Sequence, residues 1–300
     1  MTLLVGIDAG ASHTEAVAGR SPEDVLARWR GAPGAVRPGE ETQVGAIFVE
    51  AVRGVIEQAG LSEPASSIVV GAAGTGREES RLLVEQFLGE SLGGVTEVRV
   101  TTDGEIALEA AFPDGPGIVV TAGSGSIAYA RDGQGQLFKV GGLGWRIGDE
   151  GSGYALGRAA LQALGQAAEG RGEATELSDR LFAAVDIQTL DQLVKWSLAA
   201  TPREIASLAR EVILAADEGD EVAIELVDEA AVELALHIEA LLPSLTEVRP
   251  IHVAFNGGIL SPTSAVRESL TAILEETQPE LVIVHEPVDP PVGALRLAAG

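Results

Sequence analysis

No cysteine occurs in the 300 residues of this chain, which excludes disulfide staples, thiolate zinc sites and cysteine-ligated iron–sulfur clusters. Lysine is almost absent as well. Lys139 and Lys195 are the only two, and all the basic residues together number 20 against 45 Asp and Glu, a formal charge of −25. A field of that sign repels nucleic acid and anionic membranes, so neither is an expected partner. An anionic substrate must instead be drawn in by local N–H groups and a divalent cation. No apolar run approaches the ~20 residues of a membrane span, and strand-forming residues begin at Leu3, leaving no room for a secretion signal. A cytoplasmic location is the expectation. His237, His252 and His285 share no ligand-like spacing, so no metal cluster is expected from histidine.

With 46% hydrophobic residues, the length allows about two domains, each with its own core. The most informative stretch is Leu3–Thr14, LLVGIDAGASHT, an apolar run, an aspartate and then a turn of small residues. Gly117–Tyr129, GIVVTAGSGSIAY, repeats that layout. A buried strand breaking into such a turn lets backbone N–H groups approach an anion closely. Two such turns are suited to one polyphosphate, and an aspartate on the first strand, Asp8, to its Mg²⁺.

Between the two turns the signals alternate. Val44–Ala59 has apolar residues at helical spacing, Ser67–Val70 is a β-branched run ending in GAAGTGR, Glu78–Phe87 is helical, and Val98–Thr102 is a strand with Asp103 at its carboxyl end. Ligands of open α/β sheets sit beyond those carboxyl ends, which places Asp8, Gly74 and Asp103 at one crevice. After Gly117 the strand–turn–strand recurs, with a further strand at Leu137–Val140, then a mainly helical stretch to about Leu242. Within it Ala223, Leu226, Ala230, Leu234, Ile238 and Leu241 form a stripe, and Asp220 is suited to cap their helix. Ile251–Phe255 is a strand entering Asn256-Gly257-Gly258, Ser261-Pro262 has the pattern of a helix start, Leu281–Val284 is the last strand and PPVGALRLA the last helix. The expected architecture is two related α/β halves, residues 1–112 and 113–287, with a helical insert in the second. Helix 288–300 is expected to return to the first.

Several positions admit two readings from the residues alone. Asp8–Thr14 is either a ligand turn or a hairpin turn. Asp103 is either a general base or the cap of a helix over Glu105–Ala111. Ser152 is suited to cap the helix through Tyr154, Gly74 serves either a ligand approach or a plain strand-to-helix turn, and His13 either donates to phosphate or fills a variable position.

The ordered set Asp8-Ala9-Gly10, Thr101-Thr102-Asp103, TAGSGSIAYARD, GDEGSGYALGR and Asn256-Gly257-Gly258 resembles the BadF/BadG/BcrA/BcrD ATPase family, and within it the N-acetylglucosamine kinases of the actin-like, sugar kinase and Hsp70 superfamily. The resemblance runs along nearly the whole chain and is densest from Thr101 to Arg158. It implies two ribonuclease H-like domains around a nucleotide and sugar cleft, and transfer of the γ-phosphate of ATP to a hydroxyl of an amino sugar, most directly N-acetylglucosamine. It further implies that Gly10, Ala11, Ser12, His13 and Thr14 hold the β- and γ-phosphates with Asp8 on Mg²⁺, that Gly123, Ser124, Gly125 and Ser126 form the second phosphate turn, and that Asn256, Gly257 and Gly258 border the adenosine. Asp103 is the implied base, while Gly74, Ser124, Asp149 and Glu150 face the sugar. A homodimer is implied as well.

Two departures bear on the sugar. Family kinases acting on N-acetylglucosamine carry an asparagine in the segment corresponding to Gly31–Gly39, where this chain has Ala35, and Leu143 stands where some relatives have tryptophan. A site built around a hydrogen bond to a sugar hydroxyl discriminates strongly by having it. Glucosamine or another hexose, or a non-catalytic nucleotide and sugar sensor, are the alternatives. The family's activators of radical dehydratases hold an iron–sulfur cluster through cysteines, which this chain lacks.

Overall fold

The computed structural model describes residues 2–300. The chain divides into two compact units. One runs to Pro116 and takes up Pro287–Gly300 again at the end; the other is Gly117–Glu286.

In the first unit, β1 (Leu4–Ala9), β2 (Thr14–Ser21) and β3 (Asp24–Gly31) form an antiparallel meander, followed by α1 (Glu41–Gln58), β4 (Ser67–Ala72), α2 (Glu78–Ser91), β5 (Glu97–Thr102) and α3 (Asp103–Ala111). Strand order is β3-β2-β1-β4-β5, with β4 and β5 parallel to β1. Every residue of β4, SIVVGA, is buried, because helices cover both faces of the sheet and an apolar run is then needed on both. Edge strand β3 alternates exposed and half-buried positions. One core, built on Ile7, Phe48, Val52, Ile68 and Leu88, lies between the sheet, α1 and α2. The opposite face is covered by α3 and by the returning helix.

The second unit repeats the plan. The antiparallel meander is β6 (Gly117–Ala122), β7 (Ser126–Arg131) and β8 (Leu137–Gly141). Next comes the helical insert, α4 (Gly153–Ala168), α5 (Leu177–Ala184), α6 (Leu190–Ala199), α7 (Pro202–Ser207), α8 (Ala209–Asp217) and α9 (Glu221–Leu241). Then β9 (Ile251–Asn256), α10 (Ala265–Thr277) and β10 (Leu281–Val284) complete it, in the order β8-β7-β6-β9-β10. This matches the first sheet strand for strand, parallel and antiparallel pairs included. The α9 stripe is buried apart from Leu226, which is half-buried. Asp220 accepts from the Ala223 N–H at 2.9 Å while also taking the Thr175 hydroxyl and the Glu176 N–H, so one carboxylate caps α9 and ties down the chain entering α5. Burial pushes that carboxyl up, and the bonds from Ala223, Thr175, Glu176 and Val222 outweigh it and hold it below the usual carboxylate range.

The last helix, α11 (Pro290–Ala299), packs on β1, β2, β4 and α3 of the first unit. The approach depends on Gly6, where a Cβ would lie 2.3 Å from the Pro291 carbonyl oxygen and 2.4 Å from the Leu295 nitrogen. Ser261-Pro262 does not start a helix, contrary to the pattern. The Ser264 N–H bonds back to the Ser261 carbonyl at 3.0 Å, closing a turn, and α10 begins three residues later than the proline.

Candidate active site

In the first unit, parallel strands β1, β4 and β5 end level with one another, Ala9 paired with Ala72 and Ala72 with Thr102. The loops leaving these ends therefore lie side by side. Gly10 N–H bonds to the His13 carbonyl at 3.0 Å, closing the β1–β2 turn over Gly10–His13. Segment Gly34–Val36 is pinned between two of the loops. Gly34 N–H bonds to the Gly10 carbonyl at 3.1 Å and Val36 N–H to the Ala73 carbonyl at 2.8 Å, so Ala35 sits between the β1–β2 turn and the GAAGTGR turn. Gly74, with φ +88°, meets the Val36 carbonyl where a Cβ would come within 2.0 Å of it. Backbone from the Gly31–Gly39 segment thus occupies the close approach at Gly74.

The helix-cap reading of Asp103 is corrected by geometry. The cap is Thr102, whose hydroxyl accepts from the Glu105 N–H at 3.2 Å, and Asp103 is the first residue of α3. One carboxylate oxygen of Asp103 accepts from the adjacent Gly104 N–H at 3.0 Å. The Glu105 side chain pairs with Arg99 and receives the Thr101 hydroxyl, locking the turn that presents Asp103.

Asp8 lies on the same face of β1 as Gly6, the face covered by α11 and α3, since alternate residues of a strand share a face. Burial, and then the negative charges of Asp103, Glu15 and Asp289, push its carboxyl up to about 7. Glu15 is paired with Arg30 and His13, each at 3.3 Å, and Asp289 with both terminal nitrogens of Arg28. Asp8 has no cationic partner among the described residues. A half-buried carboxylate left with excess negative charge fits a divalent cation. No three acidic or histidine side chains among the described residues converge as a metal cage. Thr14 is fully buried beside Gly34, its hydroxyl without a hydrogen-bond partner.

In the second unit, Gly123 N–H bonds to the Gly125 carbonyl at 2.9 Å, closing the β6–β7 turn. The first N–H groups of α4 dock on it, Gly153 to the Gly123 carbonyl at 2.8 Å and Tyr154 to the Ser124 carbonyl at 3.2 Å, while the buried Ser152 hydroxyl caps α4 through the Ala155 N–H at 3.2 Å. Ser126 is buried and its hydroxyl donates to the Glu150 carbonyl at 2.5 Å. Asp149 is buried under the turn in a left-handed conformation, φ +64°. Burial pushes its carboxyl up, against bonds from the Ser126 and Gly144 N–H groups that favour the charged form; Glu150 adds to the rise and His237 opposes it. The Asn256 amide donates to the Thr121 hydroxyl at 3.3 Å, holding the Asn256–Gly258 turn at the carboxyl end of β6.

The structure thus gathers Asp8, Gly10–Thr14, Gly74 and Asp103 in the first unit, and Gly123–Ser126, Asp149, Glu150 and Asn256–Gly258 in the second. Sequence reasoning missed Asp289, whose charge reaches Asp8, and its partner Arg28, although Asp289 immediately precedes the Pro290-Pro291 helix start. It also missed His237 beneath Glu150. A groove of about 590 Å³ on the α1–α2 face, floored by Trp29 and Phe87, holds none of these residues.

Residues 5–298 match the BadF/BadG/BcrA/BcrD ATPase family. The chain is 30% identical over 302 residues to the N-acetylmuramic acid/N-acetylglucosamine kinase of Clostridium acetobutylicum, covering 99% of this chain and 98% of that protein. It is 25% identical over 310 residues to the N-acetyl-D-glucosamine kinase of Dictyostelium discoideum, with 99% and 97% covered. The crystal structure of a protein assigned as an N-acetylglucosamine kinase, from Chromobacterium violaceum, superposes with a TM-score of 0.83 at 28% identity over 99% of each chain. On the family match and the identity to the Clostridium acetobutylicum kinase, the chain belongs to the BadF/BadG/BcrA/BcrD ATPase family.

Proposed function

We propose that this chain is an ATP-dependent kinase of amino sugars, with N-acetylglucosamine as first acceptor and glucosamine as second. The observation that carries the reading is the placement of Asp103. Thr102 takes the helix cap, so the Asp103 carboxylate stands at the head of α3 in the electrostatic reach of Asp8. A base beside a cation site is what phosphoryl transfer to an alcohol requires.

In this reading a sugar hydroxyl attacks the γ-phosphorus of ATP, the bond from that phosphorus to the β–γ bridging oxygen breaks, ADP leaves, and the hydroxyl proton passes to Asp103. Magnesium supplies charge neutralisation on the phosphate oxygens, with Asp8 as the residue that holds it, directly or through water. The turns Gly10–Thr14 and Gly123–Ser126 are assigned to the phosphates, and Asn256–Gly258 to the adenosine side. Gly74, Ser124, Asp149 and Glu150 are assigned to the sugar, and the expected assembly is a homodimer. Phosphoryl transfer is mainly positioning and electrostatics, so a site with few lysines suffices.

Purified protein with Mg-ATP and a panel of amino sugars and hexoses tests the reading. Sugar-dependent ADP release, greatest with N-acetylglucosamine, is expected. Sugar binding by calorimetry without phosphorylated product from any member of the panel overturns it in favour of a sensor.

A further inference from the structure

We infer that His237 is a positioning residue for the acidic substrate loop, holding the Glu150 carboxylate toward the sugar from beneath; this rests on the amino-sugar reading above. The loop that follows Gly141 and runs to Gly151 has little regular structure of its own, and its two ends pack on α9. At Gly141, φ +77°, a Cβ would lie 2.7 Å from His237 Nε2. At Gly151, φ +71°, it would lie 2.6 Å from both the Ala230 carbonyl oxygen and Leu234 Cγ. Both ends of the loop therefore rest on one helix, and His237 is the polar group at that contact.

The imidazole is buried, and its two nitrogens differ. Nδ1 has no hydrogen-bond partner, whereas Nε2 faces Glu150 Oε2 at 3.8 Å. A buried N–H without an acceptor is costly, so Nε2, the nitrogen that faces a carboxylate, is assigned as the donor. Glu150 is joined to the phosphate turn as well, because its carbonyl accepts the Ser126 hydroxyl. Its neighbour Asp149 is fixed by the N–H groups of Ser126 and Gly144. Backbone and Asp149 are thus held by the β6–β7 side, which leaves the exposed Glu150 side chain as the acidic group of the loop that the turn does not fix. His237 is the donor that limits where it points. Site contacts that are long without ligand commonly tighten in the complex, and the 3.8 Å separation of His237 and Glu150 is assigned to that class.

His237→Phe keeps the ring volume and removes the donor, whereas His237→Gln returns an N–H near the position of Nε2. The expected result for His237→Phe is a sugar KM raised about tenfold, as for loss of a hydrogen bond to a charged group. Its kcat and ATP KM are expected to stay within about twofold. His237→Gln should recover most of the sugar KM, and in a Glu150→Gln background His237→Phe should add little. Thermal unfolding of each variant separates a folding defect from a positioning one. Equal loss in the Phe and Gln variants, parallel rises in sugar and ATP KM, or full additivity with Glu150→Gln would overturn the assignment while leaving the kinase reading intact. Absence of sugar phosphorylation by the unmodified enzyme defeats both.

Discussion

The β1–β2 and β6–β7 hairpins occupy equivalent places in sheets of the same strand order, yet they use their polar groups in opposite ways. In the first, Thr14 buries a hydroxyl with no partner, and Asp8 is crowded by three other carboxylates without a cation beside it. In the second, the Ser126 hydroxyl is taken by the Glu150 carbonyl, and Asp149 is bonded by two backbone N–H groups. One duplicated plan thus yields a hairpin with a buried hydroxyl and a crowded carboxylate that the fold leaves unpaired, and another whose Ser126 hydroxyl and Asp149 carboxylate are bonded within the fold. A buried polar group without a partner destabilises the fold, so on the proposed kinase reading the first hairpin is the reacting side and the second the more rigid one.

The largest expected effect sets the two carboxylates against each other. Asp103→Asn should lower kcat by about 10²–10⁴-fold, the usual contribution of a general base, with ATP affinity by calorimetry unchanged. Asp149→Asn should act mainly on sugar KM and on thermal stability, since the amide keeps the shape but puts a donor where two N–H groups need acceptors. If Asp149→Asn proves the more damaging to kcat, the division between a reacting and a supporting half is wrong.

A second way to sharpen the comparison is pH. The Asp8 carboxyl is at about 7 in the folded chain against an ordinary value of 3.8, so between those values the native state binds more protons than the unfolded state. The sign follows: its contribution is fully present below about pH 4 and is lost as pH rises through about 7. In metal-free protein, the wild type should lose about 2 kcal/mol relative to Asp8→Asn between pH 5 and pH 8, read from urea midpoints. Magnesium favours the ionised form, so with Mg²⁺ the difference should shrink. A pH-independent gap between the two proteins would place Asp8 outside the acidic cluster that defines the first hairpin.

Much of the contrast was legible in the chain, and its limits have a physical cause. Buried parallel strands such as IVV in β4 and β6 read as continuous apolar runs, and an apolar run breaking into a turn of small residues marked both hairpins, because these are local features. Asp103 was recognisable by type and place, but Thr102 taking the cap depends on side-chain geometry that both residues fit. Asp289 meets Arg28, and His237 meets Glu150, only through folding of distant segments. No window of sequence contains either pair. The start of α10 was misread because Ser261-Pro262 satisfies the local pattern while a turn closed by Ser264 forms first.

The hydroxyls of the two hairpins offer a third, smaller test. Ser126→Ala should cost about 1–3 kcal/mol, because the Glu150 carbonyl loses its donor inside the fold. Thr14→Val removes a hydroxyl that has no partner, so stability should hold or rise by up to about 1 kcal/mol, while the ATP KM rises if that hydroxyl engages phosphate. Chemical unfolding of the two variants should therefore move in opposite directions, and ATP titration of Thr14→Val reads the phosphate contact. Equal destabilisation would show that Thr14 is a satisfied structural residue.

The smallest effect concerns Ala35, where the first unit departs from kinases that use an asparagine. Its neighbours are both anchored, Gly34 to the Gly10 carbonyl and Val36 to the Ala73 carbonyl, so the backbone at residue 35 has little freedom and a new side chain there inherits a fixed direction. Ala35 is half-buried between the β1–β2 turn and the Gly74 turn, which are the surfaces assigned to phosphate and sugar. Ala35→Asn would present an amide with both donors and an acceptor to sugar hydroxyls at no cost in ordering the backbone. One added neutral hydrogen bond contributes about 0.5–1.5 kcal/mol, so the sugar KM should fall by about 2–10-fold with kcat little changed. A rise in sugar KM with an unaltered ATP KM would mean that the small side chain at 35 makes room for the substrate. The chain would then be built for a bulkier acceptor than N-acetylglucosamine.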